Sequence, residues 1–369
     1  MEVFVLKIKY LLLIIVCFCF TSCLKEEKLK TEFVTFVPET LNDGWIISSP
    51  YDEQMDEKKL EDIYRYFHEN NDLWQVRSLL VFKNDKLISE SYTKSESDKT
   101  EPAAIWSCTK QVLGLLTGIA IDSGFIVSTD DKISYYLPQI VDNFPDKADI
   151  SIDNLLTMQS GIAFENDGFN GQSAQLLRQI PDNSLNFVLS LQMQNPQGTV
   201  FNYNDGDPHI ISAIIQKQTG ATVKDWANTV LFSQLNIKNW DWIVYKDNIT
   251  MGAFGILMTP RELAKIGQCI LNKGMWNGKR IVSEEWIERM TSVEVEHTNV
   301  GKSFGYYWWI DIERDIVFMY GHGGQFVFID SGKNLMVVIT SEPNTQGKYM
   351  FSLEKSLEVF DMIKETIYE

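Results

Sequence analysis

Ser107-Cys108-Thr109-Lys110, running into Gln111-Val112-Leu113-Gly114-Leu115-Leu116-Thr117-Gly118-Ile119-Ala120-Ile121, is the stretch on which the reading of this chain turns. An α-helix turns once about every 3.6 residues, so this serine and lysine share one face, with hydroxyl and amine in reach of each other. A serine hydroxyl is a weak nucleophile until a base takes its proton. A lysine amine can act as that base only when burial or a nearby cation depresses its pKa. The apolar residues after Lys110 supply the burial. The same spacing recurs at Ser91 to Lys94 and at Ser352 to Lys355. The first, however, runs into the charged Ser95-Glu96-Ser97-Asp98-Lys99, and the second opens the polar face of a C-terminal helix. Among these, Ser107 alone sits between an apolar approach, Ala103-Ala104-Ile105-Trp106, and a buried helix.

The chain has 369 residues, 44% hydrophobic and 12% aromatic, a globular composition with room for one large domain or two ordinary ones. Its formal charge of −17 argues against nucleic acid as a partner, because no basic surplus exists to displace counterions. Lys7 and Lys9 precede an apolar run, Tyr10 to Phe20, that is short for a bilayer span, and Phe20-Thr21-Ser22-Cys23 follows as a small-residue cleavage site. This segment resembles a bacterial lipoprotein signal. Residues 1–23 are therefore expected to be a signal peptide with Cys23 as the lipidated residue, 24–40 a polar tether and 41–369 the folded domain. The protein would be anchored by lipid to a bacterial membrane in the cell envelope, facing the periplasm or the cell surface. Cys108 and Cys269, each in an apolar helical pattern, read as small core residues. His68, His209, His297 and His322 are scattered without metal-ligand spacing, so neither metal nor cofactor is expected.

The periodicity predicts an amphipathic helix over Asp56 to Asn70 and a β-hairpin of 78–82 with 86–92 around Lys83-Asn84-Asp85. Roughly 125–255 reads as a mainly helical subdomain, with helices at Ile152 to Met158, Ser184 to Met193, His209 to Thr219 and Val223 to Leu235. A helix capped by Thr259 with Pro260 in its first turn runs to Leu271, and another begins at Ser283. Strands follow at Tyr306 to Ile310, Ile316 to Tyr320, Gln325 to Ile329 and Leu335 to Thr340, then a closing helix from Ser352 to Ile367. The class is α+β, an antiparallel sheet flanked by helices with the helical subdomain inserted.

Two further stretches carry chemistry. Phe201-Asn202-Tyr203-Asn204-Asp205-Gly206-Asp207-Pro208 is an Asx-rich turn before a helix, where a tyrosine either helps relay a proton or is simply buried beside a cap. Tyr320-Gly321-His322-Gly323-Gly324-Gln325 lies between two strands, and its glycines either let a substrate approach the backbone or form a loose hairpin turn.

In this order, Ser107-x-x-Lys110, Tyr203-Asn204-Asp205 and His322-Gly323-Gly324 resemble the three motifs of the serine β-lactamase and penicillin-recognising hydrolase superfamily. The flanks Asp153 to Gly161, Met258 to Ala264 and Asn272 to Trp276 are similar to its class C-type branch, with its esterase and aminohexanoate-dimer hydrolase-like members. The resemblance implies a β-lactamase/transpeptidase-like fold and a serine hydrolase acting through an acyl-enzyme on a small ester or amide. It implies Ser107 as nucleophile, Lys110 and Tyr203 as proton carriers, and backbone N–H groups of Ser107 and Gln325 as the oxyanion hole. His322, Gly323, Gly324 and Asp205 would line the substrate pocket. His322 stands where the family has a lysine, and Asp205 where it has an amide. Mostly neutral imidazole offers no fixed charge to a substrate carboxylate, so an ester or compact amide is expected in preference to a β-lactam. The alternatives are a D,D-peptidase or β-lactamase, and a non-catalytic binding protein on the same scaffold.

Overall fold

The hairpin expected around Asn84 and Asp85 sets the frame of the molecule, whose computed structural model describes residues 30–166, 171–179, 182–342 and 351–368. Both turn residues take left-handed φ, 51° and 65°, the hand that matches the twist of the flanking strands. In chain order the elements are β1 (Ile46–Ile47), α1 (Glu57–Glu69), β2 (Val76–Lys83), β3 (Lys86–Tyr92), α2 (Cys108–Asp122), α3 (Gln172–Gln179), α4 (Gly206–Thr219) and α5 (Pro260–Leu271). They continue with β4 (Ser303–Phe304), β5 (Trp309–Asp311), β6 (Ile316–Gly321), β7 (Gln325–Asp330), β8 (Leu335–Ser341) and α6 (Leu353–Lys364). Among the described residues eight strands form one sheet, ordered β1-β3-β2-β8-β7-β6-β5-β4. Every pairing is antiparallel but the short β1–β3 contact.

Successive residues of β7 face opposite ways, and each face takes its own helix layer. Val327 meets α5 at Gly267, where a Cβ would come within 2.6 Å of both Val327 and Met336, so glycine sets how closely the helix lies on the sheet. Phe328 packs on Phe360 of α6, ring centroids 5.4 Å apart, and α6 in turn contacts α1. Helix α2 is buried through every residue from Cys108 to Ala120. A helix apolar all round has no solvent face and becomes the centre of its layer; α2 lies between α4 and the end of β6. Cys108 and Cys269 are buried free thiols, as the pattern implied.

The differences from expectation have local causes. Helical elements run from Ile133 to Phe232, but Trp240–Trp242 then pairs with Ile256–Met258, which also holds Ala103–Ala104, so the helical region ends before 255. The segment expected from Val223 to Leu235 divides at Ala227 into an α-turn and a π-turn, and the wider turn buries both Leu231 and Phe232. The strand expected from Tyr306 starts at Trp309, because Tyr307 takes φ 66° and its carbonyl accepts the Gln111 amide of α2 at 2.5 Å. Helix α3 was not anticipated. Residues 30–40 are not free as a tether would be. Thr31 N donates to Thr93 O at 2.7 Å, Glu90 N to Phe36 O at 2.8 Å, and Phe36 is buried in the core. Cys23 and the rest of the expected signal lie outside the described residues.

Candidate active site

Ile105 is the last residue before the site to hold strand-like pairing, its N–H donating to Ile256 O at 3.0 Å. Trp106 then takes φ +51°, a conformation that costs a bulky L-residue energy and is kept only where the surroundings enforce it. That turn delivers Ser107 to the head of α2 with φ −64° and ψ −9°, and its hydroxyl makes no capping bond to its own helix. The side chain is half-buried, so the hydroxyl remains available to a ligand. One turn on, the fully buried Lys110 ammonium donates to Ser107 Oγ at 3.1 Å, to Asp205 Oδ1 at 2.8 Å and to Ala253 O at 3.1 Å.

This arrangement corrects one expectation. Burial by itself would push the Lys110 pKa down, but the Asp205 carboxylate outweighs it, with Tyr203 adding to the effect, and holds the amine above its ordinary range. Lys110 is therefore a cation at rest, not the neutral amine the helical pattern suggested. Asp205 is likewise not a wall of the substrate pocket. It is 3% exposed, and it begins α4 without capping it, because the Asn204 side chain accepts from Asp207 N at 2.7 Å instead. The carboxylate is left to serve as the counter-ion of Lys110. Tyr203 lies with its ring centroid 4.9 Å from Lys110 Nζ, wedged against Phe304 and Trp309. Burial raises its pKa, while the Lys110 charge and a hydrogen bond with Ser107 act the other way without cancelling it, so the phenol keeps its proton.

The glycine-rich stretch forms a hairpin turn. His322, Gly323 and Gly324 connect β6 to β7, with Gly323 and Gly324 at φ 79° and 96°. Gly321 closes β6 so near the nucleophile turn that a Cβ would stand 2.4 Å from Ile105 O. His322 packs edge-on to Trp106 at 5.4 Å, and its pKa is lowered by burial and then by the charge of Arg178, so the imidazole is neutral. The Gln325 side chain is committed to the neighbouring strand, donating to Ser341 O at 2.6 Å and accepting from Ser341 N at 3.3 Å. What Gln325 can offer a ligand is its backbone.

Arg178 is the charged residue of the site that sequence reasoning missed. Helix α3 sets its guanidinium 3.8 Å from Asp205 Oδ2 and over the ring of Phe254, 5.3 Å from the centroid. A lone arginine in a short amphipathic helix gives no local signal of where it points. Beside Tyr203 lies a cavity of about 520 Å³ lined by Gln159, Phe201, Asn202, His297 and Asn299 among others. Among the described residues no cluster of His, Cys, Asp and Glu could hold a metal ion.

Residues 77–354 match the family model described as Beta-lactamase. The 6-aminohexanoate-dimer hydrolase of Paenarthrobacter ureafaciens is 22% identical over 304 residues, 76% of this chain and 76% of that protein. A Bacillus anthracis protein assigned as a 6-aminohexanoate-dimer hydrolase superposes with a TM-score of 0.68 at 18% identity, over 93% of this chain and 91% of that one. A family VIII carboxylesterase superposes equally well, TM-score 0.68 at 16% identity, over 87% of this chain and 99% of its own.

Proposed function

This chain belongs to the Beta-lactamase family, a hydrolase fold shared with esterases and an aminohexanoate-dimer hydrolase, and from that premise we propose that it is a serine hydrolase working through an acyl-enzyme on a small ester or amide. The observation that carries the reading is the 3.1 Å contact of Lys110 Nζ with Ser107 Oγ at the head of a buried helix, with Tyr203 against both. Ser107 Oγ attacks the substrate carbonyl, and the developing oxyanion is met by the backbone N–H groups of Ser107 and Gln325. The ester or amide C–O or C–N bond then breaks, leaving the acyl group on Ser107.

A resting Lys110 cation cannot take the serine proton. It can pass one of its own to Asp205, 2.8 Å away, because a dry site disfavours separated charge. The neutral amine so formed accepts the Ser107 proton. Tyr203, protonated at rest, donates to the leaving alcohol or amine and is reprotonated from Lys110. Water repeats the attack in reverse, releasing the acid and restoring the Ser107 hydroxyl. Cys23 would tether this hydrolase to a membrane by a lipid, a reading sunk if a Cys23→Ala chain still fractionates with membranes and labels with palmitate analogues.

A fluorophosphonate serine probe with mass mapping, followed by a panel of small esters and amides, tests the assignment. Labelling is expected at Ser107, and Ser107→Ala is expected to lose both labelling and at least about 10⁴-fold of turnover with an unchanged circular dichroism spectrum. Turnover retained in that variant would dismiss the nucleophile.

A further inference from the structure

We infer that the cavity against Tyr203 is the leaving-group subsite, an inference that rests on the serine hydrolase reading above. Its carboxamides, Gln159 foremost with Asn202 and Asn299, select an uncharged alcohol or amine that itself carries an amide. Tyr203 has two neighbourhoods. Its ring centroid stands 4.9 Å from Lys110 Nζ, within the catalytic run, and the residue also lines the cavity of about 520 Å³. In the acyl-enzyme reading Tyr203 protonates the departing alcohol or amine, so the part of the substrate that enters this cavity is the part that leaves. The volume falls within the range of small-molecule sites.

The walls of the cavity are fixed before a ligand arrives. Met158 takes φ 58°, a left-handed conformation, and turns the chain into Gln159. Both residues of that turn are tied down, Asn202 N donating to Met158 O at 2.8 Å and Gly198 N to Gln159 O at 2.7 Å. Among the described residues no hydrogen bond engages the partly buried Gln159 side chain. Asn202 Nδ2 is committed to Phe164 O at 3.1 Å, which leaves Oδ1 as an acceptor. Phe201 packs edge-on to Phe304 at 5.1 Å and Tyr203 tilts on Trp309 at 5.5 Å, so the aromatic side is held from behind. The described residues that line the cavity include no Asp, Glu, Lys or Arg, and His297 among them is exposed. A carboxamide offers donors and an acceptor without net charge, so it matches the N–H and C=O of another amide. A carboxylate or ammonium in the same space would lose hydration and find no fixed opposite charge among those residues. A flat apolar body bearing a neutral amide satisfies both kinds of wall.

Three acetates with matched leaving groups test this: 4-acetamidophenyl, 4-isobutylphenyl and 4-(carboxymethyl)phenyl acetate. Their para groups share one heavy-atom shape and differ in being a neutral amide, an alkyl group and a carboxylate. Wild type is expected to favour the acetamido ester over the carboxymethyl ester by about tenfold or more in kcat/KM. Gln159→Leu is expected to lower the acetamido-to-isobutyl ratio about fivefold, chiefly through KM, because one hydrogen bond to the leaving group is lost. Gln159→Lys, which sets a cation on the same wall, is expected to raise the carboxymethyl-to-acetamido ratio by about the same factor. A merely structural role would change all three esters together. A wild type without the stated preference, or either ratio unmoved in its variant, overturns the inference. A further pair varies the acyl side, phenyl 4-acetamidobutanoate against phenyl 6-methylheptanoate; if Gln159→Leu moves this ratio and not the first, the cavity holds the acyl group and the leaving-group assignment falls. Should no ester be turned over and Ser107 fail to label, the hydrolase reading falls, and calorimetry decides the cavity by itself. Binding of 4-acetamidophenol to wild type, weakened about fivefold in Gln159→Leu, supports the subsite; equal binding to both, or none to wild type, removes it.

Discussion

Two of the buried charge clusters among the described residues, those of Arg261 and Lys110, differ in where their last hydrogen bond goes. Around Arg261 every contact is internal. Its Nε and Nη2 donate to Glu90 at 2.8 and 2.5 Å, Nη1 to Asp43 at 2.9 Å and Nη2 also to Glu39 O at 2.7 Å. That cluster joins α5 to β3 and to the segment before α1. Around Lys110, two donors go to Asp205 and Ala253, but the third goes to Ser107, whose hydroxyl a ligand can reach. A buried ion pair closed on all sides is a structural joint. The same pair with one bond turned toward a cleft can move a proton.

The sharpest way to break this contrast is at Lys110. Lys110→Arg keeps the charge but cannot give up a proton at any working pH, so turnover is expected to fall by roughly 10²- to 10⁴-fold while Ser107 remains in place. Near-wild-type turnover would make Lys110 a fixed cation and nothing more. Its companion, Asp205→Asn, removes the charge that holds the lysine protonated and leaves burial to depress its pKa. The ascending limb of the pH–rate profile should then move to lower pH; an unmoved limb would deny Asp205 its role.

At the closed cluster the expected effect is on stability. Glu90→Gln leaves the buried Arg261 guanidinium with Asp43 as its remaining carboxylate partner, for a loss of up to about 3–5 kcal/mol in urea unfolding, with the activity of each folded molecule retained. A comparable loss of specific activity would mean that the two clusters are coupled.

The smallest effect concerns two buried groups of α4 whose titrations oppose each other. Burial lowers the His209 pKa from 6.5 to about 4, its Nε2 bonded to Ser184 Oγ at 2.7 Å. Between those values the unfolded chain binds more protons, so His209 makes stability rise with pH. Burial raises Asp207 from 3.8 to about 7, outweighing the nearby Ser160 and Asn204. Over that window the folded chain binds more protons, so Asp207 makes stability fall as pH rises. In wild type the two slopes offset between pH 4 and 6.5. Asp207→Asn should uncover the rising His209 slope, about 1.4 kcal/mol per pH unit above wild type. Urea midpoints measured from pH 4.5 to 6.5 decide it, and parallel slopes in the two proteins would sink the prediction.

By itself the sequence determined the elements whose signal is local. The strand runs of β6, β7 and β8, the Asn84-Asp85 turn, the Thr259-Pro260 cap and the largely apolar α2 carry their own local pattern or turn chemistry, and each forms within a few residues of its expected place. Ser107 and Lys110 were legible as a pair for the same reason, since helical spacing fixes their distance. Tertiary structure alone decided what those residues experience. Asp205 lies 95 residues from Lys110 and Arg178 lies 27 residues from Asp205, and no periodicity links them. A pKa depends on burial and on which charge stands within a few ångströms, and both are set when α2, α3 and α4 pack together. The sequence could therefore point to the nucleophile, but only the packed structure assigned Lys110 its charge and Asp205 its partner.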